Sequence, residues 1–124
     1  MIKMEENNLK IYGLLVINII LLVLGQTLWK IGVANIEFKL SLMALVKILI
    51  NPYILSGIVA YGVATIIWLY ILSKAELSLI YPMQSICYVL AAFVSLYIFK
   101  ENIPPTRWFG IMLIISGAYF VSIK

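Results

Sequence analysis

Four stretches of this chain are free of charged side chains: Ile11–Trp29, Pro52–Ser73, Leu77–Phe99 and Trp108–Ile123. A helix rises roughly 1.5 Å per residue, so about 20 apolar residues cross the hydrocarbon core of a bilayer. The first three runs reach that length, and the fourth reaches it if its helix begins in the Pro105-Thr106-Arg107 turn. The pattern predicts four membrane-spanning helices, at about 11–33, 52–73, 77–99 and 106–123. Asn51-Pro52 and Pro104-Pro105 mark helix starts, because proline is tolerated in a first turn whose N–H groups have no helical partner. The first run is longer than a signal-peptide core and no small-x-small cleavage pattern follows it, so it reads as a mature helix.

Between the first two spans, "IEFKLSLMALVKILINP" is too long for a tight turn and too charged to cross. Lys39 and Lys47 stand eight apart among leucines, Met43, Val46 and Ile48, which suits a short amphipathic helix on the membrane surface. The connections leave no room for a second domain. The expectation is one all-α membrane domain over residues 1–124, assembling as a dimer because four helices enclose little space.

Composition agrees with the pattern. Of 124 residues, 65% are hydrophobic and 11% charged, with a mean hydropathy of +1.11; a small soluble globule cannot hide that much apolar surface. Four crossings put both termini on one side. The side with the first and third connections carries Lys30, Lys39, Lys47, Lys100 and Arg107, and the other carries Lys3, Lys10, Lys74 and Lys124. The bias is a single charge, too small to fix orientation.

The chain has no histidine and no aspartate, which removes Ser-His-Asp triads, histidine metal sites and aspartyl phosphorylation. Cys87, the one cysteine, falls within the third run. The chain reads as a non-enzyme without cofactor or metal, and without a nucleic-acid partner. All five acidic residues sit at termini or connections, so no mid-membrane carboxylate is available to exchange a proton for a cation.

Polar side chains in hydrocarbon cost free energy unless paired, so those inside the spans are the candidate chemistry. Asn18, Leu22, Gln26 and Lys30 recur every fourth residue and share a helix face. They act either as glue between helices, with Lys30 reaching for the interface, or as donors to an anionic headgroup, for which phosphate is the best match. In the third run Ser78, Tyr81, Ser85, Tyr88, Ala92 and Ser95 alternate by three and four and line one face, and Pro82 opens the backbone there. Two inward tyrosine hydroxyls favour a wet or ligand-lined cleft. Gly110 and Gly117, with Ile114 between them, give the fourth helix a face for close helix contact, the expected dimer interface.

Three motifs carry a resemblance: "GQTLWK" ending the first helix, "IYPMQS" opening the third, and "KENIPPTRWFGIMLIISG" leading into the fourth. In their order and spacing the chain resembles the four-helix members of the drug/metabolite transporter superfamily, and within it the subunits of the aminoarabinose–undecaprenyl phosphate flippase. The resemblance implies a bacterial inner-membrane protein that moves a polyprenyl phosphate-linked sugar. It also implies association with a second four-helix subunit, like or unlike. Gln26 and Lys30 would face the phosphate, Tyr81, Ser85 and Tyr88 the sugar's path, and the tail would stay among membrane lipids. The small multidrug resistance exporters share the architecture, but their essential glutamate in the first helix falls near Leu22 here. Export of cationic or amphipathic molecules and a non-transporting membrane subunit remain as further readings.

Overall fold

The structure, a computed structural model, describes residues 2–34, 36 and 41–123, and for residues 2–8 the backbone alone. Among the described residues there are six helices and no strand: α1 (Ile2–Ala34), α2 (Leu42–Ile50), α3 (Pro52–Lys74), α4 (Leu77–Gln84), α5 (Cys87–Tyr97) and α6 (Pro105–Ile123). Four spans are long and apolar enough to cross a membrane: Leu9–Ala34, Pro52–Lys74, Leu77–Tyr97 and Pro105–Ile123. The chain is a multi-pass all-α membrane protein.

α1 and α3 form the tight half of the bundle. Their contact is made by small residues that let two backbones approach, the usual device where lipid is as apolar as any side chain. A Cβ at Gly57 would stand 2.5 Å from the Trp29 ring and 3.0 Å from the Gly25 carbonyl, and one at Gly25 would stand 2.9 Å from the Tyr61 ring. At the end of the pair, Gly32 runs under the start of α3, where a Cβ would meet Ile54 at 2.8 Å. There Asn51 caps α3, its Oδ1 accepting from Tyr53 N at 2.9 Å while its Nδ2 donates to the Gly32 carbonyl at 3.5 Å. One side chain thus ends the α1–α3 connection and pins it to α1.

At the opposite end Ile11, Leu15, Ile19, Ile71 and Ile80 form the buried apolar cluster, drawing α1, α3 and α4 together. The α1 members are spaced by four, so they are a stripe beside the polar stripe of Asn18, Gln26 and Lys30.

The expected continuous third helix over 77–99 is divided. Pro82 has no N–H for the Ser78 carbonyl and its ring crowds that carbonyl, so the ladder fails. The backbone then tightens to three-residue spacing: Ser85 N bonds the Pro82 carbonyl at 3.1 Å, Ile86 N that of Met83 at 3.2 Å, and Tyr88 N that of Ser85 at 3.0 Å. The crossing resumes as α5. α6 packs mainly on α4 and buries only Ala118. Within the chain, 33% and 28% of an apolar 18-residue stretch of the first two spans are buried, against 6% of the corresponding stretch in each of the last two. The α4–α6 half is therefore open.

The surface helix expected around Lys39 and Lys47 corresponds to α2, with Lys39 itself outside the described residues. Ser41 caps it, its Oγ accepting from Ala44 N at 3.2 Å. Leu42, Met43, Leu45, Val46, Leu49 and Ile50 are all exposed, so α2 is apolar around nearly its whole circumference, with Lys47 its single charge.

Candidate functional site

Two grooves flank the break in the third crossing. One, of about 460 Å³, runs between α4–α5 and α6, with Tyr81, Ser85, Tyr88, Ile114 and Gly117 on its walls. The other, of about 430 Å³, lies between α1, α3 and α4–α5, with Gln26, Tyr61, Tyr88 and Ala91 on its walls. Gln84, Cys87 and Tyr88 border both. The broken segment is thus the partition between two cavities.

The polar stripe of α1 meets three different environments. Asn18 is fully buried; its Nδ2 donates to the Ala64 carbonyl at 2.7 Å and its Oδ1 accepts from Gln84 Nε2 at 2.8 Å. It faces neither groove and fixes the position of Gln84, which faces both. Two turns on, Gln26 Nε2 donates to the Tyr61 hydroxyl at 2.9 Å. The Tyr61 ring stacks on Trp29 with centroids 4.6 Å apart, and Trp29 Nε1 donates to the Ile54 carbonyl at 3.1 Å. Gln26 is therefore aimed by an aromatic pair that α3 holds in place.

Lys30 occupies the end of the stripe. Its ammonium is paired with the Glu101 carboxylate, with half of the Lys30 and 38% of the Glu101 side chain exposed, and lies 4.7 Å from the Phe99 ring centroid. Glu101 reaches it because Lys100 turns the chain with φ 54°, in the left-handed region. Beyond that turn Glu101 N bonds the Ser95 carbonyl at 2.9 Å. The hydrogen bond from Lys30 holds the Glu101 carboxyl below its ordinary range against desolvation, with smaller help from the Lys30 charge, Ser95 and Arg107.

On the third crossing Tyr81 and Tyr88 are more than 60% exposed, so both rings are available to a ligand from the groove side. The Ser85 hydroxyl donates to the Pro82 carbonyl, satisfying part of the break. Ile114 and Gly117 face the first groove. A Cβ at Gly110 or Gly117 would meet nothing within 4 Å, so this face of α6 is uncovered in the single chain.

Tyr61, Gln84 and Glu101 belong to this arrangement although the sequence does not single them out as site residues. Tyr61 sits on the α3 face that carries Gly57 and Ala64, and Gln84 lies inside the quoted "IYPMQS".

A relative from Pseudomonas fluorescens Pf-5, named "Probable 4-amino-4-deoxy-L-arabinose-phosphoundecaprenol flippase subunit ArnE", is 30% identical over 99 residues, covering 80% of this chain and 85% of its own length. The chain belongs to the ArnE family. A second ArnE relative, from P. fluorescens Pf0-1, is 29% identical over 104 residues, 84% of this chain and 90% of that one. An ArnE from Aeromonas salmonicida is 39% identical over 70 residues, 56% of this chain and 61% of that one. No family model matches the chain, and no solved structure does. Membership in the ArnE family and four membrane-crossing spans make this a multi-pass protein of the bacterial inner membrane.

Proposed function

We propose that the chain is a flippase subunit that carries a polyprenyl phosphate-linked sugar across the inner membrane. The observation that carries the reading is the pair of grooves meeting at Gln84 and Tyr88, with Gln26 in one of them and Lys30 one turn further along the same face. Such a run of polar groups is costly in a membrane unless it meets a polar ligand or partner. Every relative named above is called a flippase subunit for an aminoarabinose-phosphoundecaprenol.

In this reading no covalent bond changes. Lys30 takes the phosphate as a point charge at the membrane boundary. Gln26, held by Tyr61, and Gln84, held by Asn18, offer amide groups to sugar hydroxyls, while Tyr81 and Tyr88 supply ring faces and phenol groups. Ser85, its own proton engaged with Pro82, retains acceptor capacity toward the groove. The lightly packed α4–α6 half is where the lipid tail leaves into the bilayer.

The broken third crossing is the element best suited to move between exposure to one face and to the other, because it is held by few side chains and its backbone is already interrupted. The relatives' designation as subunits supports a partner four-helix chain. Seated on the Gly110–Gly117 face, it would close the first groove along α6.

Export of an amphipathic cation is the competing reading, and the exposed rings of Tyr81 and Tyr88 are its best support. The test is transfer between leaflets. In proteoliposomes, the chain with its partner subunit should move a short-chain prenyl phosphate sugar and leave a quaternary ammonium dye in place. Movement of the dye alone would assign the export reading.

A further inference from the structure

The Lys30–Glu101 pair places opposite charges side by side at the mouth of the polar stripe, accessible from the aqueous side. The two residues come from distant parts of the chain. Lys30 ends the α1 stripe, and Glu101 is delivered by the left-handed turn at Lys100 while Phe99 lies against the ammonium. A headgroup phosphate that reaches Lys30 meets it already paired. Taking the lysine leaves the Glu101 carboxylate beside the incoming phosphate, a juxtaposition of like charges that offsets part of the new contact.

A headgroup bearing both a phosphate and an ammonium avoids that cost. Its phosphate replaces Glu101 on Lys30, and its ammonium replaces Lys30 on Glu101. The exchange is one ion pair for two and brings no net charge to the membrane boundary. The carboxylate in particular rejects a headgroup that carries phosphate alone, and such a penalty produces specificity as effectively as an added attraction does.

Resting on the flippase reading above, we propose that Glu101 is a specificity-determining residue. It guards Lys30 in the empty site and accepts a cationic group of the sugar once phosphate has displaced it, so the site selects amino-sugar phosphate lipids over neutral-sugar ones.

The experiment compares two synthetic short-chain prenyl phosphodiesters, one of 4-amino-4-deoxyarabinose and one of arabinose, titrated against the full chain in mild detergent. Wild type should bind the amino lipid about tenfold tighter, a difference of about 1.4 kcal/mol. Glu101→Gln, which keeps the size and loses the charge, should bring the two affinities within about twofold, mainly through tighter binding of the neutral-sugar lipid. Glu101→Asp should retain the preference, separating charge from any effect on the turn. A preference that survives Glu101→Gln, or none in wild type, overturns the inference. Lys30→Ala separates the two levels. If it abolishes binding of both lipids while Glu101→Gln leaves the preference unmoved, the headgroup site stands and the role of Glu101 falls. If it leaves both affinities at wild-type level, the headgroup site and the inference fall together.

Discussion

Gln84 donates its side-chain amide to Asn18 Oδ1 at 2.8 Å, joining residues 66 positions apart. The bond fastens the third crossing to α1 immediately before the backbone loses its helical ladder at Ser85 and Ile86. Because Asn18 also holds the Ala64 carbonyl, one buried amide unites α1, α3 and α4. The position of the partition between the grooves depends on it.

Replacing Asn18 with Leu keeps the volume and removes both bonds. The expected loss of stability is about 1–2 kcal/mol, between the small average for side-chain hydrogen bonds in membranes and the larger cost of stranding a polar partner. Thermal unfolding in detergent checks this. A variant that melts with wild type would mean that Gln84 is held by something else.

Gly57→Ala places a methyl within 2.5 Å of the Trp29 ring. It should destabilise by about 1–3 kcal/mol, as overpacking does, and should change the Trp29 emission by unstacking it from Tyr61. Gly62→Ala, whose Cβ meets nothing within 4 Å, should be neutral or stabilise by up to about 1 kcal/mol through helix propensity. Equal effects from the two would contradict the close α1–α3 contact described above.

Lys100→Gly should stabilise the chain by about 0.5–1 kcal/mol. A β-carbon is unfavourable at φ 54°, and the relief exceeds the extra freedom glycine gains on unfolding. Lys100→Val should destabilise instead, since a branched side chain fits the left-handed region worst. Paired melting curves of the two variants decide the point.

Acid weakens the Lys30–Glu101 pair. The Glu101 carboxyl is held below its ordinary 4.5, so the folded chain binds its proton less readily than the unfolded chain does. The pair's contribution is present above about pH 4.5 and is lost as pH falls through the lowered value. Stability should decline in that acid range in wild type and decline less in Glu101→Gln, as read from melting temperature against pH. Added salt should reduce the difference, because both side chains are accessible to solvent.

The four crossings are legible in the sequence because a membrane demands about 20 apolar residues from each, a requirement local enough to read from a single chain. Pro82 signals a disturbance in the same way, by lacking an N–H. Its extent, a full division into α4 and α5 with three-residue spacing, depends on what Ser85 and Gln84 find to bond. What the sequence hides are relationships between spans. The polar stripe of Asn18, Gln26 and Lys30 is visible, yet the stripe divides into a buried anchor, an amide on a tyrosine and an ion pair. Each fate is set by a partner 35 or more residues away. Tyr61 has no local mark beyond its small-residue face, and Glu101 looks like a connection charge until the turn at Lys100 brings it onto Lys30.

The most direct test of the central claim uses Trp29, which neighbours Lys30 in sequence and stacks on the tyrosine that aims Gln26. Its fluorescence would be followed as a short-chain prenyl phosphate sugar is added to purified chain, wild type and Lys30→Ala, with a quaternary ammonium compound as comparison. A saturable change in wild type that is absent in Lys30→Ala, with none from the ammonium compound, is the result expected of a phosphate headgroup site. Saturation by the lipid with the same affinity in both proteins would contradict it.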